Sequence, residues 1–251
     1  MSDAPRLFHA EGLAAGAVVT LSEGAHRHIQ ALRLAAGDAV TLFAGDGWEW
    51  PAELVQVGKR VSVAKLRPAQ MRDRESPLVV TLVQGICAAD RMDWVVQKAT
   101  ELGVSAIRPI VTQRTIIRLS SERQERREQH WQAIAVSACE QCGRNRVPTV
   151  HPGLSLTDFL AIEAPAEAPP ELRVMLLPGA ERRLADLVPQ GGAPQGPVSV
   201  AIGPEGGFAD LEESLLASRG YQAVRLGPRT LRTETAPLAA LAVMQSLWGD
   251  L

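Results

Sequence analysis

The chain has 251 residues, 46% of them hydrophobic and 22% charged, with a formal net charge of −2. Such a chain can bury one large core or two modest ones, and its balance of charge excludes a molecule that binds polyanions by bulk charge. Residues 1–72 read as a small, mostly β domain. The runs Ala17–Leu21, Ala39–Phe43 and Arg60–Ala64 are separated by the turn signals Gly37-Asp38, Gly45-Asp46-Gly47 and Gly58-Lys59. This spacing predicts a small barrel or sandwich. The polar stretch Gln70–Pro77 is the predicted boundary between domains.

From there to residue 251 strands and helices alternate. Leu78–Val83 is a continuous apolar run suited to a buried strand. Asp90 opens a helix with Met92, Val95, Val96, Ala99 and Leu102 at helical spacing, and Gly103 closes it. Ala106–Val111 is the next strand. Ser121 and Gln124 form a capping-box pattern before a long helix to about Cys142. Ile162–Glu171 reads as a linker, Leu172–Leu177 as a strand and Pro189–Pro197 as a loose connection. Val198–Ile202 is a strand, Asp210–Ser218 a helix, Ala223–Leu226 a strand and Ala236–Trp248 the last helix. The alternation predicts an α/β domain with a mainly parallel sheet.

No apolar run is long enough for a membrane-spanning helix, and MSDAPRLFHAEG lacks the pattern of a signal peptide. The three cysteines, Cys87, Cys139 and Cys142, suit a reducing compartment, so a cytoplasmic location is expected. Cys139-x-x-Cys142 lacks a second pair of ligands and His26-x-His28 lacks partners, so no metal is expected.

In open α/β sheets ligands bind beyond the carboxyl ends of the strands. Three of the predicted strands end in suggestive loops: Leu177–Ala180, Gly203–Gly207 and Gly227–Thr235. Glycine there allows close approach of the backbone to a ligand, or simply a tight turn. Asp210, Glu212 and Glu213 in the next helical turn oppose a phosphate, and no P-loop lysine is present. A nucleoside-type ligand with an amino-acid tail suits these loops better than a nucleotide. Between Arg108 and Arg146 eight arginines face four glutamates, a local supply of positive charge for RNA or an ordinary solvated face. Arg114, Arg118, Arg123, Arg126 and Arg127 are its main members.

The stretches IGPEGGF (Ile202–Phe208) and LGPRTLRTETA (Leu226–Ala236) closely resemble the 16S rRNA (uracil-N3) methyltransferases of the RsmE type, in the SPOUT superfamily. Arg91-Met92-Asp93-Trp94, Lys98–Gly103 and Ala138–Gln141 with Arg144 agree with it. At the N-terminus Arg6-Leu7-Phe8, His28 and Leu32-Arg33-Leu34 resemble that family's PUA-like RNA-binding domain. The resemblance implies a PUA-like domain over 1–72 and a trefoil-knotted methyltransferase domain over 73–251. It also implies S-adenosylmethionine as cofactor, a homodimer, and 16S rRNA in the small ribosomal subunit as partner. The implied reaction methylates ring nitrogen 3 of a uridine in the decoding region. Another RNA target, or a non-catalytic role in ribosome assembly, are the alternatives.

On that resemblance the cofactor site comprises Leu177, Pro178, Ile202, Gly203, Pro204, Gly206, Gly207, Leu226, Gly227, Leu231, Arg232 and Thr235. Arg232 and Glu234 are the candidate catalytic residues. Glu234 is either a base or a carboxylate suited to a helix start. Glu205 is either a base or a brace for its own loop. Arg6, His28, Arg33, Arg114, Glu140 and Arg144 are the candidate substrate contacts, with Glu140 and Arg144 equally readable as a helix pair.

Overall fold

The computed structural model describes residues 4–115, 121–162, 172–187 and 192–251. Arg118, most of the Ile162–Glu171 linker and part of Pro189–Pro197 lie outside the described residues, as do the side chains of Ser121 and Arg123. The chain divides into two compact units, Met1–Glu75 with Val136–Val147, and Ser76–Ala135 with Pro148–Leu251.

The first unit contains β1 (Arg6–Phe8), β2 (Val18–Thr20), α1 (Glu23–Ala31), β3 (Ala39–Phe43), β4 (Trp48–Val57), β5 (Ser62–Leu66) and β6 (Gln70–Met71). Its sheet runs β1-β3-β4-β5-β2, with β6 on β4, and all pairs are antiparallel except β1 with β3. Period-two burial shapes these strands: Ser62, Ala64 and Leu66 of β5 face inward. The expected mostly β reading left out α1. Ser22 caps it by accepting from Ala25 N, and Ala25 and Ile29, one turn apart, join Leu7, Leu42, Leu54 and Leu66 in the core.

The second unit contains β7 (Val80–Gly85), α2 (Ala89–Glu101), β8 (Ala106–Val111), most of α3 (Ser121–Cys142), β9 (Thr149–Val150), β10 (Leu154–Ser155) and α4 (Leu156–Ile162). It continues through β11 (Leu172–Leu176), β12 (Val198–Ile202), α5 (Asp210–Ser218), β13 (Gln222–Val224) and α6 (Thr235–Trp248). Among the described residues the sheet runs β10-β8-β7-β12-β11-β13, with β9 on β8, and every pair is parallel. This is the α/β class read from the sequence. β12 lies mid-sheet with all five residues buried, which is why four of the five are apolar and only Ser199 is polar. After β13, at the sheet edge, the chain returns to the middle. There Thr233 Oγ1 donates to the Gly203 carbonyl at 2.8 Å and accepts from Gln84 of β7 at 3.2 Å. α6 then packs on α2 and β12.

Val136–Val147, which a boundary near residue 72 leaves in the second domain, belong to the first unit. The reason is a set of polar contacts of high sequence separation, described below. No helix among the described residues is long and apolar enough to cross a membrane.

Candidate active site

Three loops of the second unit, following β11, β12 and β13, enclose a cavity of about 560 Å³. That size lies within the range of pockets for small molecules and cofactors. Of the residues expected to hold the cofactor, Leu177, Pro178, Ile202, Gly203, Pro204, Gly206, Gly207, Leu226, Gly227, Leu231 and Arg232 line it. Thr235 does not: it is exposed as the first residue of α6, and Ala236, one residue on, is in the wall instead. Arg91, Arg225, Arg229, Thr230 and Thr233 also line the cavity, and the sequence reading gave none of them a role.

The loop after β12 is folded back on itself. Gly207, at φ +69°, donates its N–H to the Pro204 carbonyl at 2.9 Å. A Cβ on Gly203 would meet the Gly207 carbonyl carbon at 2.8 Å and the Phe208 nitrogen at 2.9 Å. Such backbone-on-backbone packing leaves a wall of peptide groups facing the cavity, which suits a nucleoside with an amino-acid tail. Arg114, expected on RNA, braces this loop: its Nη1 donates to the Gly206 and Phe208 carbonyls, both at 2.9 Å.

Glu212, after the loop, and Glu205, within it, have structural duties. Glu212 is buried; it accepts from Ala209 N at 2.9 Å and from Gln113 N at 2.7 Å, capping α5 and tying it to the end of β8. Glu205 does not bond its own loop's N–H groups. It accepts from Ala88 N and from Arg91 Nη1, both at 3.0 Å, and so braces the loop against the start of α2.

Arg232 projects at the cavity wall with its side chain 78% exposed, and its Nη1 lies 3.8 Å from Glu234 Oε1. Glu234 is not in the wall, and its Oε2 is buried without a hydrogen bond, 3.8 Å from Arg91 Nε. Arg232 is therefore placed to touch a substrate, whereas Glu234 stands behind it.

The other predicted substrate contacts, Arg6, His28, Arg33, Glu140 and Arg144, lie in the first unit. Arg6 Nη1 pairs with Glu49 Oε2 at 2.8 Å, and Arg6 also bonds Asn145 Oδ1 and the Arg144 carbonyl. Glu140 accepts from Phe8 N at 2.9 Å, and its other oxygen lies 3.2 Å from His28 Nδ1. Arg144 is buried and pairs with Glu75 rather than with Glu140, because α3 ends at Cys142 and the helical register is lost before residue 144. Arg6, Glu140 and Arg144 are thus engaged within the protein. Arg33 is exposed, at φ +57°, where α1 ends.

Among the described residues no cluster of three or more histidine, cysteine and carboxylate groups could hold a metal. Burial, followed by the charge of Glu205, pushes the Cys87 thiol up to about 12. A hydrogen bond with Cys142, together with burial, raises the Cys139 thiol as well. Both stay protonated and unreactive at neutral pH. A maleimide reagent at about pH 8 should label only Cys142 in the native protein and all three cysteines in denaturant, read by intact mass. Native labelling of Cys87 would contradict this placement.

The RNA methyltransferase domain family model matches residues 74–245. Ribosomal RNA small subunit methyltransferase E from Synechocystis is 34% identical over 236 residues, covering 92% of this chain and 74% of the relative. The Bacillus subtilis protein of the same name is 30% identical over 230 residues, covering 88% and 87%. Among solved structures, ribosomal RNA small subunit methyltransferase E from Neisseria gonorrhoeae bound to S-adenosyl methionine is 40% identical, with a TM-score of 0.89 and 99% of each chain covered. A Legionella pneumophila methyltransferase in complex with the same cofactor is 35% identical, with a TM-score of 0.91 and 99% of each chain covered. With the family model spanning most of it, and relatives at 30% identity or more along most of its length, the chain belongs to the ribosomal RNA small subunit methyltransferase E family.

Proposed function

We propose that the protein transfers a methyl group from S-adenosylmethionine to ring nitrogen 3 of one uridine in the decoding region of 16S rRNA. The observation that carries this reading is the glycine-walled cavity at the ends of β11, β12 and β13, in a chain whose solved relatives bind that cofactor. S-adenosylmethionine supplies an activated methyl group on a positively charged sulfur. The backbone of the three loops would hold it, with Leu177, Leu226 and Leu231 against its apolar parts.

The acceptor nitrogen lies on the pairing edge of uracil, so the base must leave its helix before it reacts. Its proton must also leave as the new carbon–nitrogen bond forms. Arg232 suits this step because an exposed guanidinium at the cavity wall stabilises the negative charge that develops on the base. Glu234, behind it, would orient Arg232 electrostatically rather than touch the base. Of the arginines expected on RNA whose side chains are described, Arg33 and Arg126 are exposed with room for phosphate, and such contacts position without specifying sequence. The PUA-like character of the first unit, a trefoil knot in the second, a homodimer and the assembled small subunit as substrate belong to the same proposal.

The test uses small subunits from cells lacking this gene. Incubated with the protein and methyl-labelled cofactor, they should yield labelled 3-methyluridine on digestion to nucleosides, and a new primer-extension stop at one decoding-region uridine. Arg232→Ala should lower the rate by roughly 100-fold or more. Label in a ribose or in another base would overturn the assignment.

A further inference from the structure

Glu205 and Glu234, the two carboxylates that the sequence offers as candidate bases, converge on one side chain. Arg91 rises from the first turn of α2, with Nη1 at 3.0 Å from Glu205 Oε1 and Nε at 3.8 Å from Glu234 Oε2. Glu205 belongs to the loop after β12 and Glu234 to the loop after β13, and these loops form two walls of the cavity. α2 has no side-chain cap of its own at Ala88, so the Glu205 carboxylate stabilises that helix start from another loop. Glu234 Oε2, buried without a hydrogen bond, has Arg91 as the guanidinium facing it.

We propose that Arg91 is a positioning residue that fastens both loops to α2 and so sets the shape of the pocket. The proposal rests on reading that pocket as an S-adenosylmethionine site. Removing the guanidinium would leave two carboxylates on neighbouring loops without the positive charge between them. One of them holds a buried oxygen, where an uncompensated charge is most costly. The loops would relieve this by moving apart. A lysine supplies the charge at a single point and cannot present separate nitrogens to the two carboxylates, as the guanidinium does.

The experiment compares wild type, Arg91→Ala, Arg91→Lys and the double variant Arg91→Ala/Glu205→Gln. Calorimetry reads S-adenosylmethionine affinity, and amide hydrogen exchange reads the loops of the cofactor-free protein. Arg91→Ala should weaken binding by about tenfold or more and speed exchange in residues 203–208 and 226–234. Arg91→Lys should fall between it and wild type. Adding Glu205→Gln to Arg91→Ala should restore much of the affinity, because it removes the repulsion while an amide oxygen still accepts from Ala88 N. A residue that merely packed its methylenes would give no such recovery. Wild-type affinity and exchange in Arg91→Ala, or a loss that Glu205→Gln fails to relieve, would overturn the proposal. A wild-type protein that bound no S-adenosylmethionine would overturn the pocket's reading instead, and hydrogen exchange would still decide the clamp.

Discussion

A Gly203→Ala variant is expected to lose S-adenosylmethionine binding by roughly 100-fold, the equivalent of the ~3 kcal/mol that overpacking against an unyielding neighbour costs. The added methyl would sit 2.8 Å from the Gly207 carbonyl carbon and 2.9 Å from both Gly207 Cα and Phe208 N. All three neighbours are backbone, so no rotamer change can make room. The loop has to open, and it is held shut by the Gly207-to-Pro204 hydrogen bond, the Thr233 hydroxyl on the Gly203 carbonyl, the Arg114 bonds to the Gly206 and Phe208 carbonyls, and Glu205 on the start of α2. Opening it moves the peptide groups that face the cavity. Gly179→Ala is the control, since a Cβ there meets nothing within 4 Å, φ is unexceptional and the residue is not in the cavity wall. Calorimetric titration of the two variants, each checked by its melting curve, should separate them clearly. Equal affinities would refute the idea that the backbone of this loop forms the wall.

Much of this site was legible because its parts are local in sequence. Val198–Ile202 and Asp210–Ser218 have in the structure the bounds that the sequence suggested, since a buried parallel strand and an acidic first turn both announce themselves within a few residues. The glycines of the loop between them were legible for the same reason. What escaped was the identity of partners distant in the chain. Nothing near Glu205 says that its carboxylate reaches Ala88 and Arg91, more than a hundred positions away. Nor does Arg114 show locally that it holds the carbonyls of Gly206 and Phe208. A one-turn spacing made Glu140 and Arg144 look paired, but the helix stops at Cys142, and each then finds a partner at the other end of its unit. The same long-range bonds carry Val136–Val147 into the first unit, which no composition shift marks. Helix α1 was missed on different grounds: it is short and only three of its residues are buried, so its cap at Ser22 was the main local sign.

The second large effect is expected in the first unit, from Arg6→Ala. Arg6 and Glu49 have side chains only 11% and 5% exposed, and the guanidinium also bonds Asn145 and the Arg144 carbonyl and lies 5.0 Å from the Phe43 ring centre. Burial alone would raise the Glu49 carboxyl, but the hydrogen bond and charge of Arg6 outweigh it and hold the group below its ordinary 4.5. Taking away one partner of a buried pair leaves the other charge uncompensated, at a cost of about 3 kcal/mol. Arg72, 3.4 Å away but half-exposed, offsets only part of that. For a unit of this size the melting transition should fall by about 10 °C or more. The pH dependence gives the sign. In wild type the pair stabilises the unit above the ordinary carboxyl range, and the contribution is lost as pH falls through the depressed value. In Arg6→Ala the buried Glu49 takes up a proton more readily. The gap between wild type and variant should therefore be widest near neutral pH and narrow as the solution is acidified, when neither protein has to keep that carboxylate charged. Melting curves across that range, with Arg6→Lys as the partial replacement, read this directly. An unchanged melt together with weakened binding to small subunits would place Arg6 on the RNA instead of inside the fold.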